Sequence, residues 1–214
     1  MLDIHFDEPF KATYAVVAGT DEAGRGPLAG PVVAGAVILP SGYVPEGLDD
    51  SKKLTEKKRE RLYAEITEHA VSWAVAMATP AEIDEYNILN ASLLAMRRAL
   101  DALDPKPDFA LIDGNVCRGF PMAAKCVVGG DAKSPSIAAA SILAKVTRDR
   151  MLVELDSQYP QYGFKKHKGY PTKDHMLAVY RFGPCPEHRR SFLGFLEKDA
   201  EKLAAMAAAE DAKT

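Results

Sequence analysis

Residues 20 to 31 read Thr-Asp-Glu-Ala-Gly-Arg-Gly-Pro-Leu-Ala-Gly-Pro, with three glycines and two prolines. Neither a helix interior nor a central strand tolerates that spacing of prolines, so the segment is a turn. It is flanked by two apolar runs of strand length, Tyr14 to Gly19 and Val32 to Leu39. Two strands joined by so short a connection are most simply an antiparallel pair. The chain must therefore build a sheet outward from a hairpin whose connection carries Asp21, Glu22 and Gly24-Arg25-Gly26.

The remaining elements follow from period and capping. Thr55 caps a charged helix with Leu62, Ile66 and Ala70 on one face. Val71 to Ala78 reads as a third strand. Thr79-Pro80-Ala81-Glu82 is a capping box with proline at the first helical position. It opens a helical region through Leu103, which Asp104-Pro105-Lys106-Pro107 stops. Phe109 to Ile112 and Lys125 to Val128 read as the fourth and fifth strands. A long helix starts at Ser134-Pro135 and ends near Ser157. Thr172 caps another, to about Phe182, and the Ala-rich tail from about Ala200 reads as a frayed helix. Strands come first, then strands alternating with helices, which predicts an α/β protein with a mixed five-stranded sheet. We expect one domain over 1–214, with a helical subregion over about 158–214.

Composition closes off other classes. Apolar residues are 47% and charged residues 27% of 214, ordinary for a globular chain and unlike a disordered or collagenous one. No apolar run approaches the roughly 20 residues that span a bilayer. Asp3, Asp7 and Glu8 leave the first ten residues without the charge and apolar core of a signal peptide. Three cysteines, Cys117, Cys126 and Cys185, with no C-x-x-C pair, argue against a disulfide framework and for a reduced, cytoplasmic setting.

The net charge of −3 conceals an asymmetry. Residues 118–190 hold 13 Lys and Arg against 6 Asp and Glu, while the remainder holds 14 against 24. The basic stretch includes Lys165-Lys166-His167-Lys168 followed by Gly169-Tyr170-Pro171. A lysine run is usually a solvated loop. Basic residues beside an exposed aromatic also describe a surface that tracks a nucleic-acid strand. Asp50-Ser51-Lys52-Lys53 supplies a second basic turn, and Ser134 and Ser136 at a helix start offer amides and hydroxyls to a phosphate.

Acidic residues fall at strand ends: Asp21 and Glu22 after the first, Asp113 after the fourth, Asp131 after the fifth. One Asp beside Gly is ordinary turn chemistry. Grouped on one edge of an α/β sheet, they stand where such proteins build their sites. Four gathered carboxylates repel unless divalent cations neutralise them, and all-oxygen ligands select Mg²⁺ or Mn²⁺. Two such ions about 3.5–4 Å apart serve in-line attack of water on a phosphodiester. Gly24 to Ala29 also matches G-x-G-x-x-[GA], but Pro27, Gly30 and Pro31 deny the helix a dinucleotide site needs.

These residues resemble ribonuclease HII, the bacterial type 2 ribonuclease H. The matching motifs are Asp21 to Pro31, Asp50-Ser51-Lys52-Lys53-Leu54, Ile112-Asp113-Gly114, Gly130-Asp131, Ser136 to Asp149 and His167-Lys168-Gly169-Tyr170-Pro171-Thr172. The resemblance runs from about Ala15 to Leu196. It implies a ribonuclease-H-like fold and Asp21, Glu22, Asp113 and Asp131 as ligands of two Mg²⁺ or Mn²⁺. It implies as substrates RNA in RNA/DNA hybrids and single ribonucleotides in duplex DNA, cut on the 5′ side to leave 5′-phosphate and 3′-hydroxyl ends. Gly24, Arg25, Gly26 and Tyr170 would recognise the 2′-hydroxyl and the RNA-to-DNA junction. Lys52, Lys53, Lys145 and Lys168 would set affinity rather than specificity. The expected partners are those nucleic acids, with no membrane, and the chain is expected to act as a monomer.

Overall fold

The computed structural model describes residues 2–211. Its strands are β1 (Val17–Ala23), β2 (Val32–Ile38), β3 (Ser72–Ala78), β4 (Phe109–Asp113) and β5 (Ala123–Val127). Its helices are α1 (Glu8–Lys11), α2 (Glu56–His69), α3 (Pro80–Asp101), α4 (Pro135–Gln158), α5 (Phe164–His167), α6 (Lys173–Phe182), α7 (Phe195–Lys198) and α8 (Ala200–Asp211). One mixed sheet runs β3-β2-β1-β4-β5. β2 is antiparallel to β1 and β3, and β4 is parallel to β1 and β5. The hairpin and the mixed sheet expected from the sequence are both present.

β2 is buried along its whole length because both of its faces are covered, which is why it reads as an unbroken apolar run. Val32, Ala34, Ala36 and Ile38 pack with Ile83, Ala95, Met96 and Leu100 of α3. Val37 packs on the opposite face with Leu62 and Ile66 of α2 and Ala139, Ile142, Leu143 and Val146 of α4. The helix on that face sits very close. A Cβ on Gly35 would lie 2.3 Å from the Ala140 carbonyl oxygen, and one on Gly19 would lie 2.3 Å from the Ser136 carbonyl carbon. That proximity holds the first turns of α4 against the middle of β1 and β2. The C-terminal segment builds a further cluster from Leu152, Tyr162, Phe164, Val179 and Leu193, which also takes in Leu28 and Ala29 of the glycine-rich turn.

Several expectations are corrected. β1 begins at Val17 rather than Tyr14, because the Asp108 carboxylate accepts the Ala15 and Val16 amides at 3.0 and 2.8 Å. It runs on to Ala23, so Asp21 and Glu22 lie within the strand, opposite Gly35 and Ala34, not after it. The capping box at Thr79 forms, but α3 is broken at Asn87 (φ 64°), whose side chain accepts the Asn90 amide at 3.1 Å and restarts the helix. Cys117 and Cys126 form a disulfide, with Cys185 left free and buried. The odd count misled because the connection after β4 folds back to bring Cys117 against β5, a pairing no local spacing announces. Among the described residues no helix is long and apolar enough to cross a membrane.

Candidate active site

Thr20 of β1 pairs with Ile112 of β4. The next residue of each strand is a carboxylate, so the parallel register delivers Asp21 and Asp113 side by side at one sheet edge. Asp131 arrives from the 3-10 turn Gly130–Ala132 beyond β5. That turn is tied to β4, because Asp113 Oδ1 accepts the Gly130 amide at 2.6 Å. Asp21 Oδ1 accepts the Glu22 amide at 2.7 Å.

The carboxylates oppose one another's ionisation. Burial, then the charges of Glu22 and Asp113, holds the Asp21 carboxyl well above its ordinary value. Burial raises Glu22 too, with Arg25 opposing and Asp113 reinforcing. Burial also raises Asp113 against the Gly130 amide, helped by the Asp131 charge. Two basic side chains answer them. Lys52 Nζ lies 3.1 Å from Asp131 Oδ2, and Arg25 Nη1 lies 3.3 Å from Glu22 Oε1. Among the described residues no three acidic, His or Cys side chains form a ready metal cage as they stand.

A cleft of about 350 Å³ is lined by Asp21, Glu22, Gly24, Arg25, Gly26, Ser51, Lys52, Asp113, Ser141, Lys145, Arg148 and Tyr170. A hollow of about 810 Å³ between the N-terminal segment and residues 42–49 is larger, but it gathers none of these groups. The cleft therefore collects most of the expected site. Tyr170 is 43% exposed, and its ring lies 3.6 Å from where a Gly26 Cβ would be.

The walls are held by residues that sequence reasoning missed. Arg148 of α4 is fully buried and donates to the carbonyls of Pro31, Lys168 and Ala29 at 3.0–3.1 Å. A Cβ on Gly24 would stand 2.0 Å from its Nε, and Gly24 has φ +96°, so only glycine fits there. Arg189 reaches the same turn from the C-terminal segment. Burial, joined for Arg189 by the charge of Arg148, lowers Arg148 to about 10 and Arg189 to about 9, so both stay cationic at neutral pH. In sequence Asp149 reads as a helical ion pair with either Arg148 or Lys145; the structure pairs it with Lys145, at 2.7 Å, and leaves Arg148 to the turn.

A chain of histidines supports Tyr170 from behind. The Tyr170 carbonyl can only accept, so His175 Nδ1, at 2.9 Å, carries a hydrogen. His175 Nε2 then accepts from His188 Nε2 at 3.1 Å, and His188 Nδ1 accepts the Cys185 amide at 3.1 Å. Every bond is satisfied only with both rings neutral. Burial keeps them so, lowering each to about 4.

Five expected residues do not line the cleft: Asp131, which stands beside it bound to Lys52, and Lys53, Ser134, Ser136 and Lys168. Ser134 and Ser136 are fully buried, and the helix start they were to offer a phosphate is already occupied by Asp7. Asp7 accepts from Ser134 Oγ at 2.6 Å and from the Ser136 amide at 2.9 Å. An intramolecular carboxylate thus answers the helix dipole, which nothing in the sequence near Ser134 indicates. Lys53 pairs with Asp49 at 3.4 Å. Lys168 donates to the Lys165 carbonyl and lines a separate groove with Arg59 and Asp149.

A mixed sheet flanked by helices, with acidic residues on adjacent parallel strands, defines the class of ribonuclease-H-like hydrolases. The ribonuclease HII family model matches residues 18–194. Ribonuclease HII of Burkholderia thailandensis is 57% identical over 183 residues, 86% of each chain, and that of Burkholderia pseudomallei is equally similar. The crystal structure of ribonuclease H2 from Pyrococcus horikoshii superposes with a TM-score of 0.71 at 31% identity, over 88% of this chain and 99% of that one. Ribonuclease HII from Archaeoglobus fulgidus, solved in complex with PCNA, gives 0.67 at 26% identity over 82% and 94%. The chain belongs to the ribonuclease HII family and is a ribonuclease H, a hydrolytic endonuclease acting on nucleic acid.

Proposed function

We propose that the enzyme hydrolyses the phosphodiester 5′ to a ribonucleotide, in RNA/DNA hybrids and at single ribonucleotides embedded in duplex DNA. The observation that carries this reading is one cleft in which Asp21, Glu22 and Asp113 adjoin the Gly24-Arg25-Gly26 backbone and the Tyr170 ring. Carboxylates attend a phosphodiester, while an exposed backbone and a ring attend its sugar.

The donor set fits divalent cations. Three of its carboxyls are held above their ordinary values by burial and mutual repulsion, and its donors are all oxygen. Asp21, Glu22, Asp113 and Asp131 would hold two Mg²⁺ or Mn²⁺. When bound, the ions supply an activated water and charge neutralisation at the phosphoryl oxygens. The chain's own residues do the rest. Asp113 keeps its orientation through the Gly130 amide. Lys52 gives up Asp131 and turns its charge toward the phosphate. Lys145, on the cleft wall, adds affinity without reading sequence. The exposed backbone at Arg25 and Gly26 meets the 2′-hydroxyl, which alone separates RNA from DNA at one sugar. Tyr170 packs on the neighbouring sugar, where an added hydroxyl would clash.

The test is nicking of a DNA duplex with one internal ribonucleotide, with Mg²⁺ or Mn²⁺. We expect one cut on the 5′ side, leaving 5′-phosphate and 3′-hydroxyl ends, with an all-DNA duplex untouched. Absence of a nick with either ion, beside an active control enzyme, would falsify the reading; equal cutting of all-DNA duplex would replace it with a general nuclease.

A further inference from the structure

Arg189 is fully buried, and among the described residues it makes no salt bridge. Asp84, the nearby carboxylate, is engaged by the Arg190 and Ser191 amides at 2.8 and 2.9 Å and by Ser191 Oγ. The Arg189 guanidinium spends its fork on main-chain carbonyls. Nη2 donates to Gly24 O at 2.6 Å, Nη1 to Arg25 O at 2.9 Å and Nε to Gly30 O at 2.9 Å. Its own amide donates to Leu28 O at 2.9 Å, so backbone and side chain grip the turn together.

The consequence lies in the peptide planes. A planar trans peptide points its C=O and N–H in opposite directions. The one cis bond among the described residues is Asp104-Pro105, so the peptides of the turn are trans. The Gly24 carbonyl shares its plane with the Arg25 N–H, and the Arg25 carbonyl shares its plane with the Gly26 N–H. Pinning both carbonyls inward on Arg189 turns both N–H groups outward. Arg25 and Gly26 are exposed there and line the acidic cleft. Arg148 fills the space where a Gly24 side chain would stand, so the turn cannot relax in that direction.

We infer that Arg189 is a positioning residue for sugar recognition: it aims the Arg25 and Gly26 amides at the ribose 2′-oxygen without touching the substrate. This rests on the ribonucleotide specificity proposed above. The planar fork spans carbonyls of three residues at once, which a lysine ammonium at one point does not. A residue needed only to fill the space would require no charge, since an apolar side chain of similar volume does that without a buried cation.

The experiment compares affinities for two duplexes identical save for one 2′-hydroxyl, measured by fluorescence anisotropy without divalent ions. The wild type should prefer the ribonucleotide duplex. Arg189→Lys should lose at least tenfold of that preference while its affinity for the all-DNA duplex stays within twofold. Val179→Ala, which opens a cavity in the same C-terminal cluster, should lower the melting temperature and leave the preference intact. A preference retained by Arg189→Lys, or lost equally in Val179→Ala, overturns the role of Arg189 alone. A wild type that neither prefers nor nicks the ribonucleotide duplex removes the functional reading and this inference with it. Should Arg189→Lys not fold, amide spectra of the ¹⁵N-labelled wild type decide. The Arg25 and Gly26 signals must shift with the ribonucleotide duplex and not with the all-DNA one; the same shift with both overturns the inference.

Discussion

Lys52 Nζ donates to Asp131 Oδ2 across 3.1 Å, so a side chain from the turn before α2 neutralises a carboxylate from the turn beyond β5. Burial works against the Lys52 ammonium, yet the Asp131 hydrogen bond and charge outweigh it and its pKa rises. The site thus uses a monovalent cation where a divalent one would relieve more repulsion. Mn²⁺ at about a hundred times its dissociation constant should raise the melting temperature by about 5 °C over protein in chelator.

Asp113→Asn separates chemistry from fold. Asparagine keeps the Oδ1 that accepts the Gly130 amide but removes one of the charges that raise Asp21. The variant should be slightly more stable than wild type in chelator, lose the Mn²⁺-induced shift, and cleave about a thousandfold more slowly, a change of about 4 kcal/mol. Scanning calorimetry with and without Mn²⁺, beside single-turnover nicking, measures all three. Activity within tenfold of wild type would remove Asp113 from the metal-binding set.

Tyr170→Ala should hurt single-ribonucleotide substrates more than long hybrids. The ring faces the cleft over Gly26 and is not needed for packing. We expect a loss of about tenfold or more on the embedded ribonucleotide, the scale of one stacking contact. Equal losses on the two substrates, in kcat/KM measured side by side, would deny Tyr170 a role at the junction.

The histidine chain makes the C-terminal segment acid-labile. His175 and His188 sit at about 4 when folded against about 6.5 when unfolded. The unfolded chain therefore binds protons first. Stability is full above pH 6.5, declines as pH falls toward 4, and stops changing from this source below that. Each shift alone is worth about 3 kcal/mol, and the two do not add because the rings share a hydrogen bond. Melting temperature between pH 7.5 and 4 should fall more steeply for wild type than for His188→Gln. Parallel profiles would assign the acid lability elsewhere.

Gly35→Ala tests how α4 is seated. Its new methyl would stand 2.3 Å from the Ala140 carbonyl oxygen, a contact only backbone movement relieves. The cost should be about 3 kcal/mol, at the upper end for overpacking. Because Gly35 pairs with Asp21, activity should fall beyond what the lost stability explains. A denaturant midpoint within error of wild type would show that the sheet and α4 separate more easily than this packing implies.

Much of the fold was legible because local rules governed it. Prolines at 27 and 31 forced a turn, and the capping box at Thr79 opened α3. The acidic set and the glycine-rich turn were legible for the same reason, since each is a short run of residue types with few uses. Ser134 and Ser136 failed as a phosphate site because their true partner, Asp7, is more than a hundred residues away. Cys117 and Cys126 failed because their pairing depends on how one connection folds back.

The sequence by itself singled out the candidates for the chemistry: carboxylates at 21, 22, 113 and 131, and the glycine-rich backbone at 24 to 26. Only the tertiary structure decided how they are held. The parallel β1–β4 register sets Asp21 beside Asp113, α4 presses on Gly19 and Gly35, and Arg148 and Arg189 both bind carbonyls of the turn. The physical reason is the range of the forces involved. Turn and capping preferences act within a few residues, whereas a buried guanidinium takes whichever carbonyls the folded chain brings within about 3 Å.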